Sequence, residues 1–418
     1  MGSGGIAKRI KQTIKRPIRN LAKDWALGFA FPKTYAKAAR THPIDQRKVL
    51  FLDVKSSTMP DAFSVIFPYV RDTLGFDARF VGLGQHSGIS WLSYYKSCLE
   101  LMRDMATVQC IFLCDACDVV SCVPLRSETK VVQLWHACGA FKKWGVSTAD
   151  KKFGGTRKEL ERHPFYKNLD LVTVSSPEVT WAYREAMMLE DTPEVVQALG
   201  VSRTDVFFNE EFLGEARQAI TEAVPQIEGK KVALYAPTFR GHASEAKGPD
   251  KLDIQAMRDA LAEEWVLLIK HHPYVKHPAA IPDDCRDFAF MVNDLPIDQL
   301  LCTADVCISD YSSLVFEYSL FNRPMVFFAY DLGDYDDWRG FYYDYDELTP
   351  GPVVKTTNEV IDYLANLGER FDSAQVAEFR DKFMSACDGH ATERICERIL
   401  FESPNDGKYE KQQNDGRG

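Results

Sequence analysis

A chain of 418 residues, 45% hydrophobic and 26% charged, is globular and long enough for two or three domains. Its net charge of −10 is unevenly spread: residues 1–40 hold ten Lys/Arg against Asp24 alone, which leaves the other 378 residues at −19. A basic head on an acidic body argues against nucleic-acid binding by the body and directs the head alone to an anionic surface.

In the head, large apolar residues fall at Ile6, Ile10, Ile14, Ile18, Leu21, Trp25 and Phe29, a spacing of three or four that marks one helical face. Lys and Arg fill the other faces, and Trp25, Phe29 and Phe31 supply aromatic anchors. Such a cationic amphipathic helix, over segment 1–45, lies in the plane of an anionic bilayer. The alternative is a helix that packs its stripe on the body. Pro17 kinks or divides it. No apolar run reaches the roughly 18–20 residues that span a membrane, so membrane contact is expected to be peripheral.

From Lys48 onward short apolar strands alternate with helices. Strands are expected at 48–54, 78–84, 110–116, 130–137 and 169–176, with helices over 61–74, 90–106 and after Ser176. After a break near 215–230 come strands at 230–238, 265–273, 287–294, 305–310 and 324–331, with helices over 252–263, 295–304 and 312–321. Apolar strands separated by helices mean parallel sheets covered on both faces. The fold class is therefore α/β: two doubly wound Rossmann-like domains, 46–220 and 221–400, facing a central cleft, with a disordered polar tail at 401–418. Ligands of such sheets sit at the carboxyl ends of the strands. Eleven cysteines, odd in number and several within apolar runs, fit free thiols in a reducing cytoplasm. Cys114 and Cys117 form a C-x-x-C without a helix start or a second ligand pair, and they read as buried structural thiols.

Six stretches at strand ends carry the chemistry. In QLWHACGAFKKWG (133–145), His136 is a natural general base near neutral pH, and Lys142 with Lys143 suits a phosphate. A core histidine beside a solvated lysine pair is the competing view. In ALGVSRTDVFF (198–208), Arg203 either clamps a phosphate or pairs with Asp205. LYAPTFRGH (234–242) offers Thr238 and Arg240 to an anion where Pro237 breaks the strand. LLIKHHPYVKH (267–277) sets Lys270, His271 and His272 at the end of a very apolar strand, where a lysine needs an anionic partner. Zinc would compete for adjacent histidines, but no matching ligand set is present in the sequence.

CISDYSSLVFEYSLFNRP (307–324) runs from Asp310 into Ser312 and Ser313 at a helix start, an anion site of amides and hydroxyls. Glu317, one turn in, suits ribose hydroxyls; an ordinary N-cap is the alternative for Ser312. The acidic, aromatic stretch 330–354, which holds Arg339, reads by composition as a surface loop.

Taken in order, LWH…KK, G..R.D, YAPTFR, K.HP, SDYSS…E and RGFY…PGP resemble the CDP-glycerol glycerophosphotransferase family of teichoic-acid synthesis, across roughly residues 48–390. K-H-H-P stands where K-P-H-P is usual, and Val201-Ser202 where G-x-P is common. The resemblance implies a GT-B fold. It also implies transfer of glycerol phosphate, or a similar polyol phosphate, from CDP-glycerol or CDP-ribitol to a hydroxyl of a lipid-linked saccharide or polyol-phosphate acceptor. CMP would be released at the cytoplasmic face of the membrane, with the protein bound peripherally. By position, His136 resembles the family's base, and Lys270, His272, Ser312, Ser313 and Glu317 its CDP-binding set. Thr238 and Arg240 resemble its donor-side residues, and Arg339 its RGFY arginine. His136 and His272 are thus the expected catalytic pair, with Lys142, Arg203 and Asp310 completing the binding set. No metal ligand is expected and no cofactor is required; Mg²⁺ on the pyrophosphate and self-association stay open. The rivals are a GT-B glycosyltransferase that releases UDP or GDP and a non-catalytic membrane-surface scaffold.

Overall fold

The computed structural model describes residues 20–85, 88–149, 151, 156–241 and 246–401, without the side chains of 336–338. The stripe from Ile6 to Ile18, Pro17 and the tail beyond Phe401 lie outside the described residues.

The described part of the head is one helical run over 20–41, with a π-turn at Ala26–Ala30. It has two apolar faces. Ala26, Leu27, Phe31, Tyr35 and Ala38 are buried against the helix Trp91–Met105, while Leu21, Trp25 and Phe29 are exposed by half or more. Phe31, expected as a surface anchor, is a core residue. It follows Phe29 by two positions, about 200° around the helix, and so points to the opposite side.

Among the described residues twelve strands form two sheets, parallel throughout. The first holds β1 (Asp45–Asp53), β2 (Asp77–Gly82), β3 (Val108–Leu113), β4 (Lys130–Gln133), β5 (Leu171–Thr173) and β6 (Val196–Gln197) in the order β2-β1-β3-β4-β5-β6. The second holds β7 (Lys231–Tyr235), β8 (Trp265–Ile269), β9 (Ala289–Met291), β10 (Val306–Ser309), β11 (Met325–Phe328) and β12 (Val353–Val354) in the order β12-β11-β10-β7-β8-β9. Burial on both faces explains the unbroken apolar runs; WVLLI of β8 is buried throughout. This is the GT-B arrangement the resemblance implied. Strand order reverses between β1 and β3 in one sheet and between β7 and β10 in the other, the places where such sheets bind ligands.

Some details differ from expectation. The helix expected over 61–74 is divided into Asp61–Phe63, Ile66–Pro68 and Tyr69–Thr73, with Pro68 at a junction because its nitrogen cannot donate to the preceding turn. The break near 215–230 is half filled by the helix Glu210–Ala223, whose start is capped by Asn209 accepting the Phe212 N–H (3.1 Å). The final segment, Ala391–Cys396 continuing through Glu397–Phe401, packs with the first domain rather than the second. Ile395, Cys396 and Leu400 join Val49, Phe51, Phe63 and Phe112 in its core, and Gln109 Nε2 donates to the Leu400 carbonyl (3.2 Å).

Candidate active site

β4 stops at Gln133, short of the apolar pattern, because Trp135 adopts a left-handed backbone with φ +58°. For a non-glycine residue this costs about 1–3 kcal/mol and needs support from its surroundings. Gln133 supplies it through Oε1, which accepts the Trp135 N–H (3.0 Å), and Trp135 stacks on Trp144 at 4.2 Å between ring centroids. The turn presents His136 half exposed at the strand end. Its Nδ1 lies 3.0 Å from the Cys114 carbonyl, which can only accept, so Nδ1 carries the proton and Nε2 keeps its lone pair. Lost hydration pushes the ring's pKa below the usual 6.5, helped by Lys55 and Arg203 and opposed by Asp115 and the Cys114 carbonyl. At neutral pH His136 is an unprotonated base.

Across the cleft, β8 ends in Lys270, His271 and His272. His272 Nδ1 accepts the Tyr274 N–H (3.1 Å), which leaves the ring proton on Nε2. The Phe239 and Tyr274 rings flank it at 4.9 and 4.6 Å. Burial, then the nearby Lys142 charge, pushes its pKa down to about 4, so it is a neutral N–H donor at pH 7. The two histidines therefore hold opposite tautomers: Nε2 accepts on one and donates on the other. His271 is buried, its backbone N–H given to Asn293 Oδ1 (2.7 Å). Lys270 Nζ donates to the carbonyls of Asn293 (2.7 Å) and Leu295 (2.5 Å), and burial lowers its pKa. That leaves one of its three ammonium protons for a ligand.

Lys142 enters from the first domain. Its backbone pairs with Phe341 in an antiparallel bridge, flanked by Lys143 N–H to the Gly340 carbonyl (3.0 Å) and Tyr342 N–H to the Phe141 carbonyl (3.1 Å). This stitches the RGFY segment to the loop that carries His136, so the stretch expected as a surface loop is a domain junction. Arg339 Nε donates to the Lys143 carbonyl (2.9 Å). Burial, then the Arg339 charge, brings the Lys142 pKa down to about 7, and no carboxylate among the described residues pairs with its ammonium. Cations gathered this way in a cleft form an anion site.

At the β7/β10 switch point, buried Asp310 organises the wall. Its Oδ1 accepts the N–H of Thr238 (2.8 Å) and of Tyr311 (2.6 Å), and its Oδ2 forms an ion pair with Arg240 Nη2 (2.9 Å). Thr238 Oγ1 is buried with no partner among the described residues. Ser312 Oγ accepts the Leu314 N–H at 3.4 Å, and Ser313 precedes the helix Leu314–Ser319; both are half-buried. Gly139, with φ +61°, lets the His136 loop rest directly on this helix, since a Cβ there would strike the Phe316 ring.

Residues 34–401 match the family model described as CDP-Glycerol:Poly(glycerophosphate) glycerophosphotransferase. The chain belongs to this family. It is 34% identical, over 89% of its length, to the teichoic acid poly(ribitol-phosphate) polymerase of Bacillus spizizenii, of which it spans 60%. It is 32% identical, over 88% of its length, to the teichoic acid ribitol-phosphate primase of the same organism, of which it spans 95%. Its fold is similar to that of the wall teichoic acid polymerase TagF, solved as a variant soaked with CDPG. The TM-score is 0.72 at 20% identity, with 94% of this chain and 97% of that one covered.

Within this fold, four residues expected at the donor, Arg203, Arg240, Asp310 and Glu317, are engaged with other protein groups. Arg203 Nη2 contacts both oxygens of Glu317, at 2.8 and 2.9 Å. Glu317 is 4% exposed and also accepts from Cys138 Sγ (3.6 Å), so its carboxylate faces the domain junction and not a ribose pocket. Asp205 caps the helix Ala391–Cys396, accepting the N–H of Ala391 (3.1 Å) and Thr392 (2.8 Å). Arg240 grips Asp331 with two bonds (2.6 and 2.9 Å) as well as Asp310, and donates to the Thr238 carbonyl (2.6 Å). Its charge is already answered by two carboxylates, and it braces the site together with Asp310. The sequence reading missed Lys55 and Asp115, which follow β1 and β3 beside His136; their place at the first sheet's switch point was the available signal. Among the described residues no three His, Cys, Asp or Glu side chains could hold a metal together, and no helix is long and apolar enough to cross a membrane. Cys114 and Cys117 are buried free thiols.

Proposed function

We propose that this chain transfers a polyol phosphate from a CDP-activated donor to a hydroxyl of a lipid-linked acceptor, releasing CMP, at the cytoplasmic face of the membrane. The observation that carries this is the pair of opposite histidine tautomers across a cation-lined cleft. His136 Nε2 takes the proton of the acceptor hydroxyl, and that oxygen attacks the β-phosphorus in line. Charge on the phosphates is met by His272 Nε2–H, Lys142, Arg339 and the remaining Lys270 proton, with the Thr238, Ser312 and Ser313 hydroxyls on the donor side. No step is routed through a metal. The two relatives that match along 88–89% of this chain both act, by name, on ribitol phosphate, whereas the glycerol-phosphate relatives match along 65–66%, so CDP-ribitol is expected to be preferred over CDP-glycerol. Incubating the protein with CDP-ribitol, CDP-glycerol or UDP-sugars and a lipid-linked acceptor, with and without EDTA, tests this. CMP release coupled to incorporation is expected; UDP release would establish a glycosyltransferase, and no turnover a scaffold.

A membrane-borne acceptor calls for a docking face, and an exposed apolar patch on the first domain supports one. Exposed Leu21, Trp25 and Phe29 of the head lie beside exposed Ile89, Trp91 and Leu92, joined through Tyr95, whose ring stacks with Trp25 (6.1 Å) and Trp91 (5.4 Å). Lys33 Nζ sits 5.1 Å from the Phe29 ring centroid, and residues 1–19 add six Lys/Arg by sequence. Aromatic rings among cations suit the interface of an anionic bilayer. Replacing Trp25 and Trp91 together by Ser is expected to weaken sedimentation with phosphatidylglycerol vesicles by about tenfold. CMP release on a short-chain soluble acceptor should be unaffected. Unchanged sedimentation would contradict the docking face.

A further inference from the structure

At the switch point of the first sheet, the two diverging strands each lead into a charge. Lys55 follows β1 and Asp115 follows β3, and Lys55 Nζ lies 2.5 Å from Asp115 Oδ2. The same oxygen is 3.8 Å from His136 Nδ1. Asp115 Oδ1 accepts the Ala116 N–H (2.7 Å), and the Asp115 carbonyl accepts from Gln133 Nε2 (3.0 Å). Gln133 is also the residue that holds the Trp135 turn, so one side chain ties the Asp115 backbone to the loop that presents the histidine. The Asp115 side chain is mostly enclosed.

We propose that Asp115, held by Lys55, is a positioning residue for His136: it stabilises the imidazolium that forms when His136 takes the proton of the acceptor hydroxyl. This rests on His136 being the base. In that step the hydroxyl proton moves to Nε2 while the new O–P bond forms and the P–O bond to CMP breaks; the ring gains one positive charge, and Asp115 gains no proton. The Nδ1–H already has an acceptor in the Cys114 carbonyl, so the tautomer does not depend on Asp115. Its contribution is the field of a carboxylate close to a charge that exists only during reaction. Lys55 moderates that field, so the resting ring is not drawn into its protonated form. The other charged group acting on the ring is Arg203, and Tyr166 lies near Asp115; neither changes in the variants below.

The test is kcat/KM for the acceptor, measured across the acid limb in full-length Asp115→Asn, Lys55→Met and His136→Ala proteins, with thermal melts as the check on folding. His136 acts unprotonated, so losing the neighbouring anion lowers its pKa and moves the acid limb to lower pH, while losing the cation moves it to higher pH. Asp115→Asn is expected to shift the limb down by about one pH unit and to lower the neutral-pH rate about tenfold, with donor KM unchanged. Lys55→Met is expected to shift it the other way, and this second arm stands even if Asp115→Asn folds poorly. Limbs that stay put, or that move in the same direction, overturn the proposal. Near-parent turnover in His136→Ala would instead remove the base assignment beneath it.

Discussion

His136→Ala is expected to lower turnover about 100- to 10,000-fold at saturating CDP-polyol, with an unchanged melting temperature. The magnitude follows from the loss of a positioned base that lost hydration holds below the usual imidazole pKa, and so unprotonated at neutral pH. Folding should be spared, because the ring is half exposed and Nδ1 donates only to the Cys114 carbonyl, which solvent can satisfy. Donor KM should stay near the parent value, since the cations proposed to meet the phosphates are Lys142, Arg339 and Lys270. CMP release followed at saturating donor gives the comparison, and near-parent turnover would remove His136 from the mechanism.

Glu317→Ala is expected to act on stability, not on donor affinity. Arg203 is enclosed beside it, and burial works against the guanidinium charge until Glu317 restores it. Removing one partner of a buried pair leaves an uncompensated charge and costs about 3–5 kcal/mol, whereas replacing both with apolar groups costs much less. The denaturation midpoint should therefore fall sharply in Glu317→Ala and recover in Glu317→Ala combined with Arg203→Met. A raised donor KM with an unchanged midpoint would return Glu317 to the ribose role that its place one turn after SDYSS suggested. The two residues lie 114 positions apart in the chain, a pairing that no local pattern announces.

Strands buried on both faces write themselves into a sequence as unbroken apolar runs, and so the central strands of both sheets and the GT-B arrangement were legible. β6 and β12, two residues each at the sheet edges, are too short to leave such a trace. The end of β4 was misplaced because a glutamine side chain and a tryptophan stack, not the residues' own propensities, turn the backbone at Trp135. Polarity at strand ends singled out His136, Lys142, Lys270 and His272, which follow the carboxyl ends of β4 and β8. It could not say which polar groups face a ligand and which face each other. Arg203, Arg240, Asp310 and Glu317 all fall on the second side of that division, and each was decided by partners distant in sequence.

The return of Ala391–Phe401 to the first domain has a consequence for how the protein comes to exist. During synthesis domains ordinarily fold in order of emergence, N-terminal first. Here the first sheet can pair early, but the apolar surface over Phe51, Phe63 and Phe112 stays uncovered until Ile395 and Leu400 have left the ribosome. The second domain, whose strands lie wholly within 231–354, is complete before its predecessor is sealed. The half that holds His136 is thus the last to close, and part of its core depends on a segment translated after every strand of the other half.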